Sequence, residues 1–253
     1  MKTVIRAANL LPPLICALVA AAGCTTGDPE TKVIQGTAVD HGAALFRDAS
    51  FVKTSFNTYS CATCHEASAG EAGDAILVGV PLAGATKRPS YWGGQEPDLL
   101  QAINHCLYYF MFKDTPWTAE DVEARAMFAY LDSLPHEAAG AEAAPFTVVY
   151  TVNDAPQGDA AKGGQLYARA CGTCHGAAHT GASRLVERAP VLPEQTIEEH
   201  PLSEYTALDR RLVFIEKTRH GTFVSYGGQM PPFSSERLSD QDLGDLLAFF
   251  GVL

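Results

Sequence analysis

Positive charge, sulfur and long apolar runs are all scarce in this chain of 253 residues. Lysine and arginine together number 18 against 29 aspartates and glutamates, for a formal net charge of −11 at pH 7. A surface so acidic repels phosphate backbones, which argues against nucleic acid as a partner. Past the N-terminal stretch no apolar run is long enough to span a bilayer as a helix. Sulfur is confined to seven cysteines and four methionines, few enough that each cysteine can be given its own reason.

Cys16 and Cys24 belong to the N-terminus. Lys2 and Arg6 precede the apolar run "LLPPLICALVAAAGC", which is short, interrupted by proline and ends in small residues, the pattern of an export signal. Its end "AAGC" resembles the bacterial lipobox, with Ala21 where leucine is more usual. The resemblance implies a lipoprotein signal over residues 1–23, cleavage after Gly23 and lipidation of Cys24; an ordinary secretory signal cut nearby is the alternative. Acyl chains on Cys24 would anchor a tether over residues 24–36, each buried CH₂ contributing about 0.8 kcal/mol. Thr25, where an aspartate could stand, implies by the same resemblance a periplasmic location at the outer membrane. Removal of residues 1–23 leaves 16 basic against 29 acidic residues, a net charge of −13.

Four more cysteines lie in an internal repeat, "CATCH" at 61–65 and "CGTCH" at 171–175. A helix-like segment precedes each copy, "DHGAALFRDA" and "GDAAKGGQLYARA". A proline in an apolar setting follows each, Pro81 in "GVPLAG" and Pro190 in "RAPVLP". Each half closes on an amphipathic stretch with an acidic start, "TAEDVEARAMFAYLDSL" and "LSDQDLGDLLAFFGVL", with apolar residues at helical spacing. The expected fold is all-α, with two similar helical domains in tandem over residues 37–136 and 158–253. The Ala/Pro-rich segment 137–157 between them predicts a linker, with one short strand at "FTVVYTV".

CxxCH is an attachment site for c-type haem. Two thiols three residues apart on a helical turn can form thioethers to the two vinyl groups, and the next histidine then turns a ring nitrogen to the iron. Zinc would need two further ligands at each site, and a bare CxxC would be a redox-active dithiol. Two copies in an exported chain predict two covalently bound haem c groups, on Cys61, Cys64 and His65 and on Cys171, Cys174 and His175, with His65 and His175 as iron ligands. The second half resembles a class I cytochrome c from "GDAAKGGQLYARACGTCHG" through "GGQMPPF" to "LSDQDLGDLLAFFGVL". That resemblance implies Met230 as the sixth ligand of its iron, a soft thioether that raises the potential. It also implies that the Pro190 carbonyl orients the His175 ring.

The first half has no "MPP". A shift of 119 residues lays Met111 on Met230, Tyr130 on Phe249 and Leu134 on Leu253, so the repeat alone makes Met111 the ligand. "INHCLYYFM" points elsewhere. Ile103, Asn104, Cys106 and Met111 resemble a segment of thiosulfate dehydrogenase-type and related sulfur-oxidising dihaem cytochromes, and the resemblance implies that Cys106 ligates a catalytic first haem. A histidine such as His105 or His41, or an open position, completes the set of alternatives. The basic residues that flank the motif in that family are absent, with Ala102 and His105 in their places. Only Lys87, Arg88, His105 and Lys113 could supply positive charge nearby, and a buried anion needs such partners. A free thiol in an oxidising compartment favours a bound Cys106.

The remaining residues read as structural. His179, His200 and His220 are expected at the surface or in loops, Met127 on an apolar helix face, and Trp92 and Trp117 in packing around the first haem. Two functions follow. One is a lipid-anchored dihaem carrier passing single electrons between periplasmic redox proteins. The other is a thiosulfate dehydrogenase-like enzyme with a catalytic first haem and the second as electron exit.

Overall fold

The computed structural model describes residues 36–147, 149–222 and 229–252. The expected signal over 1–23, Cys24, the tether up to residue 35, and Gly227 and Gly228 lie outside the described residues. Helices make up the regular structure. They are α1 (Ala38–Arg47), α2 (Cys61–Cys64), α3 (Leu99–Tyr109), α4 (Val122–Ser133), α5 (Ala160–Leu166), α6 (Gly172–His175), α7 (Glu194–Glu199), α8 (Ala207–His220) and α9 (Asp240–Phe249).

Five of the helices begin where a hydroxyl or carboxylate satisfies free N–H groups of the first turn. Thr37 and Asp40 form a reciprocal capping box at α1, as do Thr206 and Asp209 at α8 and Ser239 and Asp242 at α9. Asp98 caps α3 and Asp159 caps α5. In each half the first helix crosses the last: α1 packs on α4 and α5 on α9. The crossings are closed by glycine. A Cβ on Gly42 would lie 2.1 Å from the Ala126 carbonyl oxygen and 2.6 Å from Tyr130 Cβ. One on Gly163 would lie 1.9 Å from the Asp245 carbonyl oxygen and 2.7 Å from Phe249 Cβ. Ala126 and Tyr130 map onto Asp245 and Phe249 by the same 119-residue shift that pairs the methionines. The repeat in sequence is therefore a repeat in packing.

Apolar burial falls into two clusters. The first gathers Leu45, Phe46, Leu107, Met111, Met127 and Leu131, the second Tyr167, Phe214, Ile215, Leu243, Leu246 and Leu247. Each borrows from the other half: Val186 is buried in the first, and Ile76 and Val78 pack against the second. The residues from Gly36 onward accordingly form one compact unit.

The strand expected at "FTVVYTV" is absent among the described residues. Thr147 and Val149 of the segment bond side chains of the second half. Thr147 N donates to the Glu236 carboxylate at 3.0 Å, and the Val149 carbonyl accepts from His220 Nε2 at 2.6 Å. The Phe146 ring meets Trp92 edge-on at 5.7 Å. β-branched residues favour extended backbone, but a ladder also needs a free neighbouring edge. The same crossing covers His220, which is buried, contrary to the surface or loop position expected for it.

Candidate haem sites

The first motif occupies a single helical turn. Ser60 N donates to Thr63 Oγ1 at 3.1 Å, α2 holds Cys61 and Cys64, and His65 follows directly in extended backbone. His65 Nδ1 lies 2.8 Å from the Val80 carbonyl oxygen. A carbonyl only accepts, so Nδ1 carries the proton and Nε2 keeps its lone pair. Burial favours the neutral ring and depresses its pKa. The backbone behind the ring has to be glycine, because a Cβ at Gly79 would lie 2.2 Å from His65 Cε1.

The second motif is built the same way with different support. The helix of α5 widens through a π turn at Tyr167–Cys171, then α6 carries Cys174 and His175. Tyr167 Oη donates to the Gly176 carbonyl at 3.0 Å, pinning the chain just after the motif. His175 Nδ1 donates to the Pro190 carbonyl at 3.0 Å. Both carbonyls stand 15 residues beyond their histidines, so the counterpart of Pro190 is Val80 and not the neighbouring Pro81. The first half thus uses the residue before its proline where the second uses the proline itself.

Each histidine opens on a cavity. The first, of about 180 Å³, is lined by Cys61, Cys64, His65, Cys106, Met111 and Met127 among others, with Trp92 also on its wall. The second, of about 490 Å³, is lined by Cys171, Cys174, His175, Pro190 and Met230, with the cations Arg169, Arg188 and Lys217 and the half-buried His200. Burial pushes the Cys61, Cys106 and Cys171 thiols up to about 12, and Cys106 also feels Cys61 beside it. These sulfurs are neutral thiols unless a bond to carbon or iron replaces the proton.

Both sulfur candidates of the first half thus line the same cavity. α3 carries Cys106, and Met111 follows where the chain turns sharply, with Phe112 in the left-handed region at φ 56°. Neither His41 nor His105 lines that cavity; His105 is exposed and its ring faces Tyr109 at 6.3 Å. Asn104 of the same motif does structural work: its amide exchanges bonds with the Trp117 backbone at 2.7 and 2.9 Å. Trp117 stacks on Phe51 within the first cluster.

Of the four cations weighed for an anionic substrate, only Arg88 reaches the cavity wall. Its guanidinium donates to the carbonyls of Pro81, Ala83 and Gly140. Lys87 pairs with Asp132 at 2.8 Å on the surface, and Lys113 Nζ bonds the Thr115 carbonyl.

Tyr59 and Arg188 were not singled out from sequence. Tyr59 is buried and, with Cys64, Val78 and Pro231, lines both cavities. Its phenol is held protonated by burial and by the nearby Cys174 and Cys64 sulfurs. Only its place two residues before Cys61 hinted at this.

Two thiols, a histidine with one nitrogen already bonded, a thioether or thiol on the wall and an apolar lining suit haem c at each motif. Among the described residues no three His, Cys, Asp or Glu side chains cluster as a metal site.

Comparison with known proteins agrees for the second half. Residues 158–250 match the family model described as "Cytochrome C oxidase, cbb3-type, subunit III". The second half carries a cytochrome c domain. Such a domain implies covalently bound haem c and suggests electron transfer. The chain is also similar to a solved thiosulfate dehydrogenase (TsdBA) from Marichromatium purpuratum in its as-isolated form, at 19% identity and a TM-score of 0.39. The similarity covers 91% of this chain and 49% of that one, so the chain spans about half the length of the solved protein. No curated protein matches the chain.

Proposed function

We propose that the chain is a dihaem c-type cytochrome, with cytochrome c modules over 37–136 and 158–253, that passes single electrons between periplasmic redox proteins while acyl chains on Cys24 hold it at the outer membrane. The observation that carries this reading is one arrangement made twice. Each CxxCH histidine is tied through Nδ1 to a carbonyl 15 residues on and opens on a cavity with a sulfur ligand candidate on its wall.

Haem c, when bound, supplies a one-electron iron couple whose potential depends on its ligands and surroundings. His65 and His175 are oriented to ligate through Nε2, and their carbonyl partners make them stronger donors. Met230 is the proposed second ligand at the C-terminal site. Cys106 is the proposed second ligand at the first, with Met111 the alternative. A thiolate favours ferric iron and a thioether ferrous iron, so this ligand pair makes the second site the stronger acceptor. The wall common to both cavities at Tyr59 and Cys64 supports direct exchange between the sites.

A thiosulfate dehydrogenase-like activity at the first site is the second reading, favoured by the place of Cys106 on the cavity wall. It would join two thiosulfates into tetrathionate and release two electrons. The arrangement of Arg88, Lys87 and Lys113 counts against it, since each already has a partner within the protein. Mixing the oxidised protein with thiosulfate over a range of pH separates the two. No reduction of the haem bands is expected, and rapid reduction abolished by Cys106→Ala would establish the enzyme. In the same series Cys106→Ala changes the ferric signal of the first haem and Met111→Ala leaves it in place; the reverse pattern would make Met111 the ligand.

A further inference from the structure

The residues just before the two methionines are bonded to each other. Gln229, which precedes Met230, is buried, and its Nε2 donates to the Phe110 carbonyl at 2.7 Å. That carbonyl belongs to the peptide that joins Phe110 to Met111. Phe110 and Gln229 are separated by 119 residues, the offset that relates Met111 to Met230, so the bond links equivalent points of the repeat. The other end of the amide is satisfied as well: Gln229 Oε1 accepts from Arg188 Nη2 at 2.7 Å. Arg188 stands two residues before Pro190, whose carbonyl orients His175. The guanidinium also donates to the Phe56 carbonyl at 2.7 Å and lies over the rings of Phe56 and Phe112, 5.3 and 5.6 Å from their centroids. Phe112 is the residue on the far side of Met111.

One buried side chain therefore holds the Met111 loop, the Met230 loop and, through Arg188, the segment that orients His175. A buried amide with donor and acceptor both engaged tolerates little displacement of either partner. Movement of either loop strains the bond to the other.

We propose that Gln229 is a positioning residue that locks the two loops together, so that the iron environment at the first motif depends on a side chain belonging to the second. The inference rests on the dihaem reading. By linkage the dependence runs both ways, so a ligand change at the first site alters the second through the same bond.

The test uses the full holoprotein, with the haem number of the wild type measured first by intact mass; fewer than two haems would sink the dihaem reading itself. Ferric-state spectra and spectroelectrochemical titration are then compared for wild type, Gln229→Leu and Gln229→Glu. Leucine removes both bonds at similar volume. Glutamate keeps an acceptor for Arg188 but sets an oxygen against the Phe110 carbonyl, and it serves where the leucine variant fails to load or fold. The expected result in either variant is an altered ferric signal at the first site and a change of tenfold or more in its reduction equilibrium, about 59 mV for a one-electron couple. A first-site signal and potential identical to wild type, with only the second site changed, would overturn the inference.

Discussion

At the residue scale the sites depend on which atoms are kept from moving. The carbonyl of Val80 and the missing side chain of Gly79 act together on His65, one fixing its tautomer and the other leaving room for the ring. Gly79→Ala drives a methyl into that ring. The variant should lose about 1–3 kcal/mol of stability, as overpacking usually costs, and, on the proposed dihaem reading, should show an altered ferric spectrum at the first site while the second keeps its own. Retention of both spectra would show that the ring has room to move. Much of this scale was legible in sequence: the CxxCH motifs named both histidines, and the Pro190 carbonyl partner followed from resemblance. The contacts across the repeat were hidden. Tyr59, Arg188 and Gln229 meet their partners over separations that no local pattern records, and the Val80 register differs from the Pro81 one by a single residue.

At the element scale the protein is two helix crossings. The helical segments and their order were readable from apolar spacing and from Thr, Ser and Asp at the starts. The close approach at Gly42 and Gly163 was not, because a glycine in a helical pattern carries no sign of what lies against it. Both face backbone atoms of the opposite helix, which cannot turn aside as a side chain can. Gly42→Ala and Gly163→Ala should each destabilise the fold by about 1–3 kcal/mol or more, read as a lowered denaturant midpoint. An alanine at an unstrained helical position would instead stabilise slightly, so a raised midpoint would refute the crossing. The strand expected at "FTVVYTV" failed for a matching reason. Propensity was present, but its groups were claimed by Glu236 and His220 from far along the chain.

At the scale of the whole molecule, shared walls and a strong negative charge shape what the protein can do. Sequence presented two units with a linker; the packing interleaves their cores, because Ile76 and Val78 fit the second cluster and Val186 the first. The proposed relay draws on that interleaving. With 29 acidic side chains against 18 basic ones, the proposed redox partners are ones with a basic docking face, which such a charge would steer in. Electron exchange with a basic cytochrome should slow about tenfold or more between low and high ionic strength, as screening shortens the reach of the charge. A rate indifferent to salt would mean that docking does not use it.

The central proposal is that both motifs carry haem in one chain. Its most direct measurement is the intact mass of the purified mature protein after acid extraction of any unattached haem. Two covalent haem groups per chain are expected, falling to one when Cys61 and Cys64 are both replaced by alanine. A wild-type chain that carries a single haem, or a double variant that still carries two, would contradict it.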